Sequence, residues 1–374
     1  MSERKAFKDW FDETAVEDLA GLLAGAFRRF PRKRFVRQAS TGLEDLEMMD
    51  RVRQMAAAME MALPDDLVAA CDGIVQALPS ALESDEQVTD SYVLWPVGQY
   101  LADRCHPDLA AQEVKSVLVC MEELTQRFTA EFAVRPYVEQ HAAQTLAFLG
   151  KRVDHPSQHV RRWCSEGTRP RLPWGRKLKS LEADPSPSLE ILEELRADPE
   201  RYVQRSVANH LNDIAKVHPE RVVAICRRWW KEGDPATRWI VRHALRHLVK
   251  QGHPGALDVL GFGPPRGLEA SLEVTPKDVA IGGSVELVAR VAHRRRETQR
   301  LMVDFVVHYV KASGKTSPKV FKWTQTELPG GEPGTLEKRL AFRHVSIRRI
   351  HPGVHRIELQ INGQVVAETA VRVT

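Results

Sequence analysis

The sequence predicts two kinds of structure in succession, an all-α solenoid of helices and then an all-β sandwich. The first 260 residues carry apolar side chains at helical spacing, and no stretch among them alternates with period two. From residue 268 onward, apolar and polar residues alternate, which is typical of half-buried strands. The apolar content of 43% excludes a largely disordered chain. We therefore expect a helical domain at 1–260, a linker at 261–267 and a sandwich at 268–374.

The helical pattern is clearest after residue 41. Thr41 and Glu44 have the spacing of a capping box, and apolar residues then recur at helical intervals from Leu46 to Met59. Proline, glycine and His-Pro pairs interrupt the pattern at the places where helices end. Further helices are predicted near residues 65–78, 86–104, 108–134 and 138–149.

The segment between residues 186 and 254 repeats itself. Arg205–Lys216 aligns with Trp239–Lys250 at a shift of 34 residues, with apolar positions coinciding. Each copy follows a shorter helical segment, ends in lysine and is followed by a His-Pro pair. Helix pairs of this length are typical of HEAT repeats, which stack on their neighbours and leave one concave face. The sequence thus predicts a HEAT-like solenoid.

The last part of the chain contains about seven alternating segments within residues 268–374. Asn362-Gly363 separates the last two and is a strong signal for a tight hairpin. Seven short strands in a stretch of this size indicate an immunoglobulin-like sandwich. No cysteine lies in it, so the disulfide that joins the sheets of antibody domains is excluded.

Charge is distributed unevenly along the chain. Residues 1–150 hold 15 basic and 25 acidic residues, residues 151–267 hold 22 and 14, and residues 268–374 hold 17 and 11. The modest net charge of +4 therefore combines an acidic first part with two basic parts. Such asymmetry indicates an anionic partner for the basic parts.

Several classes of protein are excluded by what the sequence lacks. No apolar run approaches the ~20 residues that span a bilayer, and the N-terminus has no apolar signal-peptide centre. The five cysteines form no CxxC pair and fit no disulfide framework, which favours a reducing cytoplasm. Phosphate-binding, dinucleotide-binding, nucleophilic-serine and zinc-protease motifs do not occur. We expect no membrane partner, no metal and no cofactor.

Two polar stripes stand out in the repeats. Arg205, Asn209 and Asp213 are four residues apart and share one side of a helix. The second copy has Trp239, His243 and His247 at the matching positions. Charge pattern alone leaves two interpretations open, a solvated helix face and a concave surface that faces a ligand.

Two upstream segments carry a related pattern. Arg161–Gly175 has one acid, Glu166, among four arginines and two tryptophans. A basic loop with interleaved tryptophan suits a nucleic-acid backbone, and the alternative is a surface loop anchored by one buried indole. Glu131 lies four residues before Arg135, which by pattern alone predicts an ion pair within one helix.

The strings TAEFAVRPYV, SEGTRPRLPWG and RSVANHLNDIAKVHPE occur in this order. Together they resemble the AlkC-type DNA-alkylation repair glycosylases, members of the HEAT-like-repeat DNA glycosylase superfamily that also holds the AlkD type. An appended immunoglobulin-like domain, found in part of the AlkC type, strengthens the resemblance, which covers essentially the whole chain. It implies a monofunctional glycosylase that hydrolyses the N-glycosidic bond of 3-methyladenine and 3-methylcytosine in duplex DNA without a base-flipping pocket.

The resemblance also implies roles for particular residues. Asp213 and Glu166 would flank the anomeric carbon and the attacking water, and Glu131 would complete the acidic cluster. The identity of the general base stays open. Trp174, Trp163 and Trp239 would contact the sugar. Arginines are candidate phosphate contacts: Arg162, Arg169, Arg171, Arg205, Arg238 and Arg242.

The sandwich is expected to hold the duplex from the side opposite the concave face. Its basic runs are Arg294–Arg296 and Arg348-Arg349, and the strands before them should end at opposite ends of the sandwich. Only one run could then face DNA. The alternative is that both runs are solvated loops. The expected partner is double-stranded DNA with alkylated bases, bound by a monomer. The competing hypothesis is a non-catalytic HEAT-repeat DNA-binding or scaffold protein, which would not need Glu131, Glu166 and Asp213 in intact motifs.

Overall fold

The structure is a computed structural model that describes residues 6–346 and 348–374, without the side chains of Asp85, Thr89 and Asp90. Helices fill the first part of the chain and strands the last, so the predicted order of fold classes is confirmed. Short 3-10 helices lie at Phe7–Trp10, Leu43–Asp45, Asp85–Leu94 and Leu195–Ala197. The α-helices of the described residues are α1 (Glu13–Ala26), α2 (Arg32–Ser40), α3 (Met48–Glu60), α4 (Leu67–Ala77), α5 (Trp95–Asp103), α6 (Ala111–Thr125), α7 (Arg135–Gln140), α8 (Ala142–Gly150), α9 (Gln158–Glu166), α10 (Lys179–Ala183), α11 (Ser186–Glu194), α12 (Arg201–Ile214), α13 (Pro219–Glu232), α14 (Pro235–Ala244), α15 (Arg246–Lys250) and α16 (Pro254–Val259).

The capping box predicted at residue 41 is wrong. Thr41 follows the end of α2, and its hydroxyl donates to the Arg37 carbonyl over 2.6 Å. Gly42 then adopts a left-handed backbone with φ of 65°, which a residue with a side chain adopts only at a cost. The chain therefore turns at Gly42, and α3 begins at Met48, seven residues after Thr41.

The helix predicted at 108–134 is shorter than predicted, and a turn follows it. α6 ends at Thr125, and α7 begins at Arg135. Within the turn, the Glu131 backbone N–H donates to the Thr129 hydroxyl oxygen over 3.2 Å. A threonine that binds the backbone locally offers the chain an alternative to the helix. This turn is what places Glu131 outside a helix.

The helices of the repeats pack through buried apolar faces. α12 contacts both α9 and α14. Val160 and Val207 are fully buried on α9 and α12, and Ile240 is fully buried on α14. The second repeat copy is not one helix, because α14 ends at Ala244 and α15 begins at Arg246.

The chain divides into two compact units, residues 1–217 with 232–244 and residues 218–231 with 245–374. In the second unit, Phe262 is buried in a small cluster with Leu257 and Met302. The amide of Asn362 donates to the Gly263 carbonyl over 2.7 Å. The segment predicted as a linker is thus anchored by contacts inside the second unit. The boundaries predicted for the domains stay a prediction.

The described residues of the sandwich form eight strands, in two sheets of order β1-β3-β6 and β2-β8-β7-β4-β5. One more strand than predicted is present because Asp278–Val279 makes a short parallel pairing with the last strand. The core between the sheets includes Leu287, Phe305 and Leu359. The strands are β1 (Leu268–Thr275), β2 (Asp278–Val279), β3 (Ser284–His293), β4 (Gln299–Val310), β5 (Thr316–Leu328), β6 (Gly334–Ala341), β7 (Gly353–Ile361) and β8 (Gln364–Val373).

The connections of the sandwich follow from its register. Asn362 and Gly363 join β7 to β8 with φ of 47° and 79°, so the predicted hairpin turn is confirmed. β3 and β6 are antiparallel, with Ser284 opposite Ala341. Their C-terminal ends therefore lie at opposite ends of the sandwich. The basic runs 294–296 and 348–349, which follow these strands, are accordingly placed at opposite ends.

One buried arginine orders the segment between α9 and α10. Arg135 is 1% exposed, and its guanidinium donates to the carbonyls of Gly167, Arg169, Pro170 and Arg176 over 2.5 to 3.4 Å. Burial and the neighbouring Arg169 lower the pKa of Arg135 to about 10, so it stays charged at neutral pH. The intrahelical ion pair that the sequence predicts for Arg135 is replaced by these backbone contacts.

Replacing Arg135 with methionine should destabilise the protein strongly. The substitution keeps much of the side-chain volume but leaves buried carbonyls without a donor, at about 1–3 kcal/mol each. We expect the free energy of unfolding to fall by about 3 kcal/mol in denaturant unfolding. Arg53→Met, at an exposed arginine of α3, is the matched control and should change it by less than about 0.5 kcal/mol. Equal effects of the two substitutions would contradict the anchoring role of Arg135.

Candidate active site

Three acidic side chains from separate parts of the chain meet in the first compact unit. Glu131 lies in the turn before α7, Glu166 is the last residue of α9, and Asp213 is in the last turn of α12. Their side chains are 12%, 8% and 3% exposed. Buried carboxylates are costly unless they are paired, so their partners determine what the site is able to do.

Arg169 joins two of the three acids. Its Nη1 lies 2.6 Å from Glu166 Oε1. Its Nε and Nη2 donate to Asp213 Oδ2 over 2.9 and 2.7 Å. Burial opposes the charge of Arg169, but the two carboxylates outweigh it and raise its pKa. One guanidinium thus fixes the end of α9 against the last turn of α12.

Two further cations complete the cluster. Arg162 Nη1 lies 2.6 Å from Glu131 Oε2, and Arg162 Nη2 lies 3.7 Å from Glu166 Oε1. Lys216 donates to Asp213 Oδ1 over 2.9 Å. The side chains therefore alternate in charge from Glu131 to Lys216, three acids with three bases. We call these six residues the carboxylate cluster.

Glu166 accepts hydrogen bonds on both of its carboxylate oxygens. The Ser206 hydroxyl donates to Glu166 Oε2 over 2.6 Å, and the Ser165 hydroxyl lies 2.9 Å from that of Ser206. Burial favours the neutral acid, but Arg162, Arg169 and the Ser206 hydrogen bond outweigh it and lower the pKa of Glu166. Glu166 is therefore a carboxylate at neutral pH.

A buried polar stripe on α12 faces the cluster, and the sequence reasoning missed two of its members. Ser206, His210 and Asp213 are all buried, whereas Arg205 is exposed. Ser206 and His210 are thus offset by one residue from the predicted Arg205 and Asn209, and Asp213 belongs to both stripes. The sequence signal for this stripe is Ser206, a small polar residue seven positions before Asp213, because that spacing places both residues on one helix face. Burial lowers the pKa of His210 to about 3, so its neutral ring contacts the Ser165 carbonyl over 3.0 Å.

Trp163 is a core residue, and the prediction that it contacts the sugar is wrong. Its side chain is fully buried, and its indole N–H donates to the Ala130 carbonyl over 3.2 Å. Gly167 lets the chain pass close to this point, since an added Cβ would lie 2.7 Å from Val134 Cγ1. Trp163 therefore positions the backbone beside Glu131.

Trp174 has the opposite environment. Its side chain is 81% exposed, and its φ of 63° lies in the left-handed region, which bulky residues rarely adopt. Trp174 also lines an open cavity of about 450 Å³, together with Trp95 and Phe132. An exposed indole in a strained backbone conformation is typical of residues that bind a ligand rather than stabilise a core.

The predicted phosphate contacts divide into two groups. Arg162 and Arg169 belong to the carboxylate cluster and pair with its acids, with side chains 16% and 8% exposed. A phosphate would have to compete with those acids, and phosphate contact by these two stays a prediction. Arg171 is half-buried and paired with Glu182, so a phosphate would compete with that carboxylate. The exposed arginines, for which phosphate contact stays a prediction, are Arg205, Arg238 and Arg242.

Trp239 packs against neighbouring side chains. Its ring is stacked on that of His243, with centroids 5.0 Å apart, and the Arg201 guanidinium lies 4.0 Å from the centroid of the Trp239 ring. The indole is only half-buried, and sugar contact by its exposed edge stays a prediction.

The described residues contain neither a group of metal ligands nor a membrane-spanning helix. Within residues 6–346 and 348–374, three or more histidine, cysteine or acidic side chains are nowhere grouped as metal ligands would be. The helices in the same part of the chain are all too short or too polar to cross a membrane.

Known families and relatives match this chain. A family described as DNA alkylation repair enzyme matches residues 83–248, and one described as the C-terminal Ig-like domain of uncharacterised protein YhaZ matches residues 269–374. The uncharacterised protein YhaZ of Bacillus subtilis (strain 168) is 32% identical over 364 residues, which cover 96% of both chains. These matches confirm the predicted immunoglobulin-like domain.

One solved structure covers 99% of this chain and of its own, at 31% identity and a TM-score of 0.81. It is the alkylpurine DNA glycosylase AlkC of Pseudomonas fluorescens, bound to DNA containing an abasic site analog. The resemblance stated from the sequence motifs is thereby confirmed. The chain belongs to the family of DNA alkylation repair enzymes that includes this AlkC glycosylase and YhaZ.

Proposed function

We propose that this protein is a monofunctional DNA glycosylase that releases 3-methyladenine and 3-methylcytosine from duplex DNA by hydrolysing the N-glycosidic bond. The observation that carries the proposal is the carboxylate cluster, in which three ionisable acids from separate elements are brought together by Arg162, Arg169 and Lys216. The structural relative AlkC, which was solved with DNA containing an abasic site analog, supports DNA as the substrate.

The chemistry of the substrate explains why carboxylates are needed. Alkylation at N3 places positive charge on the base, so the base leaves as a neutral molecule and needs little help from an acid. The bond between C1′ and the base nitrogen breaks with its electron pair going to the base, and positive charge develops on the sugar. Fixed carboxylates stabilise such an oxocarbenium-like state, as they do in glycoside hydrolysis. A water oxygen then bonds to C1′ and loses its proton to a base.

The environments of the three acids suggest a division of roles. Glu166 has a lowered pKa and accepts hydrogen bonds from Arg169 and Ser206, so it is a weak base and a well-fixed negative charge. We assign it to stabilisation of the sugar cation. The base that accepts the proton from water is then Asp213, which binds the same guanidinium as Glu166, or Glu131. We further propose that excision takes place without a base-flipping pocket.

DNA contacts are proposed for exposed groups of the first unit. The Trp174 indole is free to pack against the deoxyribose or to stabilise its cation through the ring face. Arg205, Arg238 and Arg242 are exposed and are proposed to bind phosphates. We expect a monomer on duplex DNA, with the sandwich as a second DNA-contacting domain.

The competing function is a non-catalytic HEAT-repeat protein that binds DNA or serves as a scaffold. Burying three carboxylates and the Arg169 guanidinium carries a desolvation cost that hydrophobic residues would avoid. A binding protein also attracts phosphates with exposed cations alone. The carboxylate cluster therefore favours the enzyme over the scaffold.

Asp213→Asn tests the enzyme against the scaffold. The substitution keeps the shape of the side chain but removes its charge, so base release from methylated duplex DNA should fall by at least about 100-fold. Duplex affinity should change by less than about threefold, because the lost group acts mainly in the transition state. Release of 3-methyladenine, 3-methylcytosine and 7-methylguanine is measured by chromatography, and affinity by fluorescence anisotropy.

Asp198→Asn is the matched control for this experiment. Asp198 is also a buried aspartate, paired with Arg161 at 2.6 Å, but it lies outside the carboxylate cluster. Its substitution should leave the rate of base release by folded protein unchanged. A wild-type chain that binds the duplex but releases none of the three bases would support the scaffold instead.

Trp174→Ala should impair function without affecting stability. The indole is mostly exposed, so the melting temperature should stay the same, while base release should fall about tenfold through loss of one stacking contact. Trp174→Phe keeps an aromatic ring and should restore part of the rate. Both variants keep a Cβ on the left-handed backbone, so the comparison isolates the ring. Wild-type rates in Trp174→Ala would remove Trp174 from the site.

The ionisation of Glu166 predicts a pH dependence of stability. Its folded pKa is below the unfolded value of about 4.3, so its charge stabilises the fold above that pH, and this contribution is lost as the pH falls through the folded pKa. The difference in free energy of unfolding between wild type and Glu166→Gln should be constant above about pH 5 and shrink below it. Glu190→Gln, at an exposed position of α11, is the control and should show no such change. A difference that grows toward acid pH would refute the assignment of Glu166 as a carboxylate.

A further inference from the structure

A basic cavity of about 350 Å³ lies at one end of the sandwich, outside the carboxylate cluster. Its volume is at the lower end of the ~300–1,000 Å³ typical of ligand pockets. The end of β4, the start of β5 and the segment before β7 line it, and no aspartate or glutamate is among the lining residues. They are Tyr309, Val310, Lys311, Ser317, Pro318, Lys319, Arg348, Arg349 and His351.

Arg348 is fixed at the wall of the cavity by aromatic rings. The centre of its guanidinium lies 4.1 Å from the ring centroid of Tyr309 and 5.7 Å from that of Phe321. Stacking of this kind uses the flat face of the guanidinium, so its hydrogen bonds have to be made at its edges. The Nε and Nη1 atoms are shielded from solvent and have no hydrogen-bond partner among the residues that the structure describes.

Tyr309 contributes a second donor of the same kind. Its side chain is 4% exposed, and its ring contacts the rings of Phe342 and His355 at 6.2 and 5.7 Å. Within the described part of the chain, its buried hydroxyl also lacks a partner. Buried polar groups are nearly always hydrogen-bonded, and leaving one unpaired is costly. Unpaired donors from two residues of one cavity wall therefore indicate an acceptor that binds there.

We propose that this cavity binds a phosphate group. A phosphate offers several acceptor oxygens to the edge of a guanidinium, and its negative charge matches a wall with lysines and arginines but no acid. Lys311, in the β4–β5 turn, and Lys319, on β5, add two positive charges to the lining near Arg348. The site lies wholly in the second unit, so it does not depend on base excision. A DNA phosphodiester and a free phosphate share this chemistry.

Titration calorimetry of the full-length chain with inorganic phosphate, at constant ionic strength, tests the site. We expect saturable binding of one phosphate per chain. Tyr309→Phe should weaken binding about tenfold, because it removes one hydrogen bond to a charged group. The same variant should not lower the melting temperature, since the hydroxyl has no described protein partner. A hydroxyl with only a structural role would change stability and leave phosphate binding the same.

A matched pair of charge variants separates the site from general basicity. Lys311→Ala/Lys319→Ala removes two positive charges at the cavity, and Arg295→Ala/Arg296→Ala removes two at the opposite end of the sandwich. Phosphate affinity should fall at least about tenfold in the first variant and less than about twofold in the second. Non-specific attraction by the basic surface would instead give equal losses.

Undamaged duplex DNA distinguishes the two sources of phosphate. If the ligand is the DNA backbone, Tyr309→Phe should weaken duplex binding as well as phosphate binding. If it is a free phosphate, duplex affinity should match that of wild type in Tyr309→Phe. Either result supports the site. Absence of saturable phosphate binding by wild type, or equal affinity of wild type, Tyr309→Phe and Lys311→Ala/Lys319→Ala, would overturn the proposal.

Discussion

The bridge that Arg169 makes between Glu166 and Asp213 is the contact on which the rest of the active site depends. It is almost fully shielded from water, and in such a place each of its three charges is tolerable only because the other two are present. The bridge also joins the end of α9 to the last turn of α12. The electrostatics of the site and the packing of two helices thus rest on the same guanidinium.

Around this bridge, buried side chains bind backbone carbonyls and so hold the segments that carry the site residues in place. Arg135 binds four carbonyls of the 167–176 segment, which contains Arg169 and Trp174. The Trp163 indole binds the carbonyl next to Glu131. Catalysis by fixed charges requires groups that do not reorganise as charge develops. Residues that touch no substrate in the proposed mechanism are therefore as necessary to it as the three acids.

The charge of the chain illustrates how composition and surface differ. The basic middle part suggested phosphate contacts throughout, yet Arg162 and Arg169 pair with internal acids. The exposed basic groups of this part are fewer than the count implies, and Arg205, Arg238 and Arg242 are among them. In the sandwich, the guanidinium of Arg348 is likewise stacked on an aromatic ring. Attraction of an anion then depends on which cations are exposed, not on the total.

The sequence by itself determined the order of fold classes, the Asn362-Gly363 hairpin and the three acids, because helical and strand periods, turn residues and family motifs are local properties. It did not determine where Thr41 and Thr129 divert the chain, because their hydroxyls choose between helix and turn according to nearby backbone groups. Nor could it show that Trp163 is buried and Trp174 exposed, since both lie in one short basic segment. Only the tertiary structure decided which arginine meets which acid, because ion pairs between residues 31 to 44 positions apart exist only after helices have packed.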